Sequence, residues 1–246
     1  MFLNKTVLIT GVNRGIGRGI AEAFAQTGAS LIVHSRSHTA AFAEDMLALS
    51  ARYNVMVELV VFDMTDTPAM KSAINEVLPP GRKIDVLVNN AGIAHGGLFQ
   101  MTPVSMVRSV FDVNFFAQLE LTQLMIRRMS RQKSGAIVNI GSIAGLDLAA
   151  GNVAYGVSKA ALMAFTQTLA AEVGPMGVRV NAVAPGLVDT AMATQMEKKA
   201  GTEMIQSSAM KRLARVEEIA QVVLFLASDA ASFVNGQIIP VNGGSA

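Results

Sequence analysis

Short apolar runs alternate with longer stretches of mixed polarity along the whole chain, and this alternation predicts strands separated by helices. Most runs are β-branched or leucine-rich throughout, which is typical of strands covered on both faces, as in a parallel sheet. The runs occur at 6–10, 30–34, 55–62, 84–89, 136–140, 178–184 and 236–241.

Between these runs, small and apolar residues recur at helical spacing among polar ones. The predicted helices cover 15–27, 40–53, 67–78, 103–131, 154–173 and 216–228. Repeated strand–helix–strand units imply right-handed crossovers and a doubly wound α/β sheet. Because we find no repeat or linker, we expect one domain over residues 1–246. Such sheets bind ligands at the carboxyl ends of their strands, so the residues after each run are the candidates for chemistry.

Composition narrows the classes of function. Hydrophobic residues make up 51% of the chain, which is enough for a sizeable core, and the net charge of +2 comes without the dense basic stripe of a nucleic-acid-binding protein. The absence of cysteine excludes disulfides, thiol nucleophiles and cysteine-ligated zinc, and we predict no metal site. No apolar run approaches the about 18 residues of a membrane span, so we expect a cytoplasmic protein that does not enter the membrane.

The segment TGVNRGIG follows the first predicted strand and leads directly into a helix. Its glycines, Gly11, Gly15 and Gly17, would let the backbone approach a ligand closely, and the helix N-terminus would offer free N–H groups to a phosphate. The spacing is G-x-x-x-G-x-G rather than the more common G-x-G-x-x-G. A glycine-rich turn without a ligand is the alternative interpretation.

The segment HSRS follows the second predicted strand, where an acidic residue would bind the 2′-hydroxyl of an adenosine ribose. This chain has Ser35 and Arg36 there instead, and Arg14 lies in the first loop. Two guanidinium groups at one pocket suit a 2′-phosphate and therefore NADP(H). Alternatively, both arginines are solvated surface residues.

The third and fourth predicted strands end in DMTD and NNAG. Asp63 could accept a hydrogen bond from an adenine amino group or could serve a turn, and Asp66 is the better candidate for a helix cap. Asn89 and Asn90 could bond backbone groups and hold two neighbouring loops together, while the rest of 89–92 leaves room for a flat ligand.

Ser142 follows the fifth predicted strand, and Tyr155 and Lys159 lie one helical turn apart in the helix after it. A tyrosine with a pKa of about 10 is a poor acid–base catalyst at neutral pH, but a nearby ammonium stabilises the phenolate. The three residues together could therefore carry out proton chemistry without histidine. An exposed helix face is the alternative for the tyrosine–lysine pair.

These motifs together resemble those of the short-chain dehydrogenase/reductases. The resemblance rests on TGVNRGIG, on NNAG, on Asn114 in VFDVNFFA, on Ser142 and on Y-x-x-x-K at 155–159. APG at 184–186, Thr190 and the tail ASFVNGQIIPVNGG extend it to nearly the whole chain. It implies a Rossmann-type fold with a seven-stranded parallel sheet and a nicotinamide cofactor.

The resemblance also implies four catalytic roles. Tyr155 is the general acid that protonates the substrate oxygen, and Ser142 hydrogen-bonds that oxygen. Lys159 binds the nicotinamide ribose and lowers the tyrosine pKa, and Asn114 holds a water behind Lys159. The implied cofactor-binding residues are Gly11, Asn13, Arg14, Gly15, Ile16, Gly17, Ser35, Arg36, Asp63, Met64, Asn90, Ala91, Gly92, Tyr155, Lys159, Pro185, Gly186, Val188 and Thr190.

Two larger features are implied as well. The segment at about 187–212 corresponds to a substrate lid, and its four methionines at 192, 196, 204 and 210 suit either an adaptable apolar pocket or ordinary core packing. The two long helices at about 103–131 and 154–173 correspond to subunit interfaces of a homotetramer.

Among the subfamilies, the chain most resembles the β-ketoacyl-acyl-carrier-protein reductases of fatty acid biosynthesis, in its length, in the segment RLARVEEIAQVVLFLASDAASFVNGQ and in its NADP-type loops. An acidic carrier protein needs basic groups near the pocket mouth, and a basic cluster lies at the end of the long helix: Arg127, Arg128, Arg131 and Lys133. Cations at a helix C-terminus are also favoured by the helix dipole. Met176 stands where the subfamily has a second docking arginine, which argues against docking of a carrier protein.

Three functions are therefore compatible with the sequence. The first is an NADPH-dependent reductase of 3-oxoacyl groups on acyl carrier protein, and the second is a reductase of free ketones or sugars, or an enzyme acting on secondary alcohols. The third is a catalytically silent nucleotide sensor, against which the complete Asn–Ser–Tyr–Lys set argues.

Overall fold

The computed structural model describes residues 2–190 and 208–244, and these form a parallel sheet with helices on both faces. Its strands are β1 Thr6–Ile9, β2 Ser30–Ser35, β3 Val57–Val61, β4 Val86–Asn89, β5 Gly135–Ile140, β6 Val178–Pro185 and β7 Ile238–Val241. The strands lie in the order β3-β2-β1-β4-β5-β6-β7, and each neighbouring pair is parallel. The predicted doubly wound, seven-stranded Rossmann-type sheet is confirmed.

The α-helices follow the predicted positions with one exception. They are α1 Gly15–Gln26, α2 Ala40–Tyr53, α3 Thr67–Val77, α4 Val104–Phe111, α5 Ala117–Gln132, α6 Tyr155–Val173 and α7 Val216–Ala227. The helix predicted over 103–131 is divided, because Asp112–Phe116 between α4 and α5 forms a π-helix. In the part of the chain that the structure describes, no helix is long and apolar enough to cross a membrane.

Alternate residues of each strand supply the cores on the two faces of the sheet. In β1, Val7 and Ile9 join the core formed with α1, α2 and α7, whereas Leu8 joins the core formed with α3, α5 and α6. All three side chains are completely buried. This arrangement explains why most of the apolar runs do not alternate regularly between apolar and polar residues, since a strand covered on both faces buries side chains on both sides.

Three strands begin two residues later than the sequence predicts: β3 at Val57, β4 at Val86 and β7 at Ile238. The side chain of Gln132 bonds both the N–H and the carbonyl of Ile84, at 3.0 and 2.9 Å, so β4 begins only at Val86. Gly236 has φ +72°, outside the β region, and β7 begins only at Ile238. Asp66 caps α3 as predicted, since its carboxylate accepts the Ala69 N–H at 3.0 Å.

The predicted lid at about 187–212 lies for the most part outside the described residues. Met192, Met196 and Met204 belong to that part, and Met210 is exposed.

Candidate active site

One cavity of about 530 Å³ opens at the carboxyl ends of the strands. It lies beside β1 and β4, where the strand order reverses, and sheets of this kind bind their ligands at that point. The predicted site residues that line it are Gly11, Asn13, Arg14, Gly15, Ile16, Gly17, Arg36, Asp63, Met64, Asn90, Ala91, Gly92, Ser142, Tyr155, Lys159, Pro185, Gly186, Val188 and Thr190. Of the predicted residues, Ser35 and Asn114 are not part of this lining.

The loop after β1 leaves its backbone open to the cavity. A side chain at Gly17 would overlap the Gly11 carbonyl and the Asn90 amide, and Gly11 has φ +71°, which favours glycine. The first turn of α1 has no side-chain cap and no acidic residue, so its N–H groups can bind an anion. This donor set fits the pyrophosphate of a dinucleotide.

Asn90 and Thr10 join the loops after β1 and β4, as expected for Asn90. The Asn90 amide donates to the carbonyls of Thr10 and Gly11 at 2.8 and 3.0 Å, and the Thr10 hydroxyl accepts the N–H groups of Asn90 and Ala91, each at 2.9 Å. The same expectation is wrong for Asn89, whose buried amide donates to the side chains of Thr122 and Asn139.

Arg14 and Arg36 both line the cavity and both are exposed. Asp63 lies near Arg36, and its carboxylate accepts the hydroxyl and the N–H of Thr65 at 2.7 and 2.9 Å. These hydrogen bonds, with a smaller contribution from Arg36, hold the pKa of Asp63 below its usual value. Asp63 therefore forms a turn and also borders the cavity, so both interpretations of it are compatible with the structure.

Ser35 does not face the cavity, contrary to the prediction. Its side chain is completely buried, and its hydroxyl donates to the Ser37 carbonyl at 2.7 Å. Successive side chains of a strand point to opposite faces, so the residue that lines the cavity is its neighbour His34. The prediction missed His34, although a polar ring at the end of an apolar run was a signal.

Ser142 and Tyr155 are brought together by close packing of two segments. The short 3₁₀ turn Ile143–Gly145 lies directly against α6, where a side chain on Gly145 would reach 2.6 Å from the Ala160 nitrogen. This packing places Ser142, two residues after the end of β5, beside the tyrosine that begins α6. Burial raises the pKa of Tyr155, and a hydrogen bond with Ser142 opposes that rise.

Lys159 is buried and its ammonium donates to the Ile140 carbonyl at 2.7 Å. Burial lowers the pKa of Lys159 to about 8. Burial and Ser142 account for the direction of the Tyr155 pKa shift, and a lowering of that pKa by Lys159 stays a prediction. The ammonium still borders the cavity and has further N–H donors for a ligand.

Asn114 lies in the π-helix, completely buried behind the cavity. Its amide accepts the Ile93 N–H at 2.8 Å and donates to the Ile93 carbonyl and the Ser158 hydroxyl at 2.9 and 3.1 Å. A side chain on Gly92 would lie 3.1 Å from the Asn114 oxygen and 3.5 Å from the Lys159 nitrogen. Asn114 therefore connects the loop after β4 to α6 next to Lys159, and its expected role in holding a water stays a prediction.

The basic cluster does not border the cavity. Lys133 ends α5 in a left-handed conformation, and β5 begins two residues later, so the cluster lies at the amino-terminal edge of the sheet. The cavity lies at the other end of β5, whose six residues span about 20 Å. Arg128 also donates a hydrogen bond to the side chain of Asn75 at 3.1 Å. Met176, which stands where a second docking arginine was expected, is 46% exposed. The expectation of basic groups at the pocket mouth is thus wrong within this chain, because a helix that returns over the sheet ends at the opposite edge.

Comparison with known proteins agrees with this geometry. A family model described as enoyl-(acyl carrier protein) reductase matches residues 11–246. The 3-oxoacyl-[acyl-carrier-protein] reductase FabG of Chlamydia trachomatis is 35% identical over 100% of this chain and 99% of its own. The uncharacterized oxidoreductase YmfI of Bacillus subtilis is 38% identical over 98% of this chain and 99% of its own. A crystal structure of levodione reductase has a TM-score of 0.93 and 30% sequence identity, and covers 99% of this chain and 98% of its own.

Proposed function

The chain belongs to the short-chain dehydrogenase/reductase family of oxidoreductases, and from that premise we propose that it is an NADPH-dependent reductase of 3-oxoacyl groups carried on acyl carrier protein. One observation carries the proposal: Ser142, Tyr155 and Lys159 line the same cavity that the uncapped N-terminus of α1 borders. A nucleotide sensor would not require the serine or the tyrosine.

The choice of NADPH over NADH rests on the loops after β1 and β2. Arg14 and Arg36 line the cavity there, and the segment after β2 has no acidic residue that would bind a 2′-hydroxyl. A guanidinium group can hold phosphate oxygens in a fork, which favours a 2′-phosphate. Asp63 lies near Arg36, and its carboxylate could accept a hydrogen bond from the adenine amino group.

The cofactor, when bound, supplies the hydride, and the protein supplies orientation and the proton. Burial raises the pKa of Tyr155, so its phenol is protonated at neutral pH and can donate its proton to the substrate oxygen as that oxygen gains charge. In this proposal Ser142 donates a hydrogen bond to the same oxygen. Lys159, whose ammonium donates to the Ile140 carbonyl, would bind the ribose hydroxyls of the cofactor with its remaining N–H donors.

The 3-oxoacyl substrate is supported by the relatives that are named as 3-oxoacyl-[acyl-carrier-protein] reductases. A reductase of free ketones is the second candidate, and it is favoured by the position of the basic cluster away from the cavity and by Met176. Docking of a carrier protein on Arg127, Arg128, Arg131 and Lys133 is part of the first candidate only.

A homotetramer is the proposed assembly. Large apolar side chains on and beside the long helices support it, since Phe116 is 51% and Val157 is 43% exposed, and Phe233 near the C-terminus is fully exposed. Light scattering should give four times the subunit mass, and a monomer would contradict the proposal.

A side-by-side assay of NADPH oxidation tests the function. Carrier-bound β-ketoacyl groups, small acetoacetyl thioesters and a panel of free ketones are compared at equal concentration, and the proposal expects the highest kcat/KM with carrier-bound substrates. Tyr155→Phe should lower kcat by about 100-fold or more while NADPH binding stays nearly unchanged, because only the acid is removed. Substantial residual reduction by Tyr155→Phe would contradict the acid role.

A further inference from the structure

His34, near the end of β2, contacts both neighbouring loops of the cavity through its two ring nitrogens. Its Nδ1 accepts the N–H of Gly11 at 3.3 Å, in the loop after β1. Its Nε2 bonds the carbonyl of Phe62 at 2.9 Å, directly before Asp63 in the loop after β3. The ring is 1% exposed and packs against the Phe62 ring with centroids 4.2 Å apart.

These two contacts determine the tautomer of the imidazole. The backbone N–H of Gly11 can only donate, so Nδ1 must be unprotonated, and the carbonyl of Phe62 can only accept, so Nε2 must carry the proton. The charged groups near the ring are Asp63 and, next to that carboxylate, Arg36. Burial keeps the pKa of His34 below its usual value, which maintains the neutral ring, although the Phe62 carbonyl and Asp63 act against it.

We propose that His34 is a positioning residue for the cofactor, whose neutral ring holds the Gly11 loop and the Asp63 loop at a fixed separation. The proposal rests on the proposed NADPH-dependent function. The Gly11 N–H is shared between the His34 ring and the His34 carbonyl, at 3.3 and 3.1 Å, so the ring adjusts the loop rather than satisfying an otherwise unpaired donor.

The loop that His34 holds is the one that presents the α1 N-terminus to the cavity. Gly11 is also held from the other side, where the Asn90 amide donates to its carbonyl at 3.0 Å. Val12 adds a second backbone bond to the His34 carbonyl at 3.0 Å. The loop is therefore held by hydrogen bonds from the end of β2 on one side and from Asn90, after β4, on the other. On the β2 side, the contact from a side chain is made by the His34 ring.

Two variants of nearly equal size separate this role from a structural one. In His34→Asn, the amide oxygen is attached where Nδ1 is attached in histidine, so it can accept the Gly11 N–H. His34→Leu has the same branching without an acceptor. Leucine is also the more favourable of the two residues in a buried site. If the stability of the fold alone determined NADPH affinity, His34→Leu would therefore bind NADPH more tightly than His34→Asn.

The experiment measures NADPH and NADH binding directly by fluorescence, together with kcat, KM and the thermal midpoint. Loss of one hydrogen bond of about 1 kcal/mol corresponds to about fivefold, so NADPH should bind about fivefold more weakly to His34→Leu than to His34→Asn. At saturating NADPH, kcat of the two variants should be similar. His38→Leu, which replaces an exposed histidine four residues further on, should bind as the wild type does.

Equal NADPH affinity of His34→Asn and His34→Leu would overturn the proposal, and so would weaker binding by His34→Asn. If the wild-type protein binds neither dinucleotide, the proposed function fails and the inference fails with it. If the wild type binds NADPH and the two variants do not differ, only the role of His34 is rejected.

Discussion

Replacement of Lys159 by methionine tests how burial acts on the proposed site. The ammonium of Lys159 is buried and has the Ile140 carbonyl as its hydrogen-bond partner. Burial lowers the pKa of Lys159 from 10.5 to about 8. At neutral pH the folded protein therefore contains a charged group in a place that favours the neutral form.

The sign of the effect on stability follows from these two pKa values. Below about pH 8 the lysine is protonated in both states, and the folded state bears the full unfavourable energy of the buried charge. Between about 8 and 10.5 the unfolded chain binds more protons, so the free energy of unfolding rises with pH. At about 1.4 kcal/mol for each pH unit, the whole difference is about 3 kcal/mol.

Urea unfolding of the wild type and of Lys159→Met at several pH values measures this energy. From about pH 7 to about pH 9.5 the wild type should gain about 2 kcal/mol relative to the variant. Subunit concentration is kept constant, because assembly contributes to apparent stability. Lys71→Met, at an exposed position of α3, should show no such gain. If the difference between wild type and Lys159→Met does not change with pH, or changes in the opposite sense, the reasoning from burial is refuted.

Three further predictions concern the cofactor and the partner. Arg36→Asp should shift the ratio of kcat/KM values from NADPH toward NADH by about tenfold or more, since a charge-assisted hydrogen bond is lost, and an unchanged ratio would contradict the 2′-phosphate assignment. Gly17→Ala should weaken binding of both dinucleotides in direct titrations by about tenfold or more, because the added methyl overlaps the loop after β1, whereas Gly96→Ala, with open space around it, should not. Charge reversal at Arg128 and Lys133 should raise KM only for carrier-bound substrates, and an equal rise for small thioesters would reject docking there.

The strands were predictable because each is a local run of apolar residues. The late starts of β4 and β7 were not, because they depend on distant or conformational features, such as the hydrogen bonds of the Gln132 side chain to the N–H and carbonyl of Ile84. The π-helix at Asp112–Phe116 was also hidden, since helical periodicity does not change over a segment that is only five residues long. The segment positions the buried side-chain amide of Asn114, which hydrogen-bonds the N–H and the carbonyl of Ile93.

The position of the basic cluster could have been derived from chain direction. A helix that connects two parallel strands runs back over the sheet, so its C-terminus reaches the edge opposite to the cavity. The expectation of basic groups at the pocket mouth came from the subfamily resemblance and did not take this direction into account. The prediction chose Ser35 rather than His34 as the residue that borders the cavity. The face to which a strand residue points depends on the register of the whole strand, which local sequence does not give.

The sequence by itself determined the succession of strands and helices, the glycine loop and the one-turn spacing of Tyr155 and Lys159, since these depend on residues close together in the chain. The tertiary structure decided the electrostatics of the site. Burial sets the direction of the Tyr155 and Lys159 pKa shifts, and the partner of the ammonium is a carbonyl 19 residues away. The contact between Gly11 and His34 joins residues 23 apart. Solvation and hydrogen-bond partners of a side chain depend on which segments fold against it, and local sequence does not specify them.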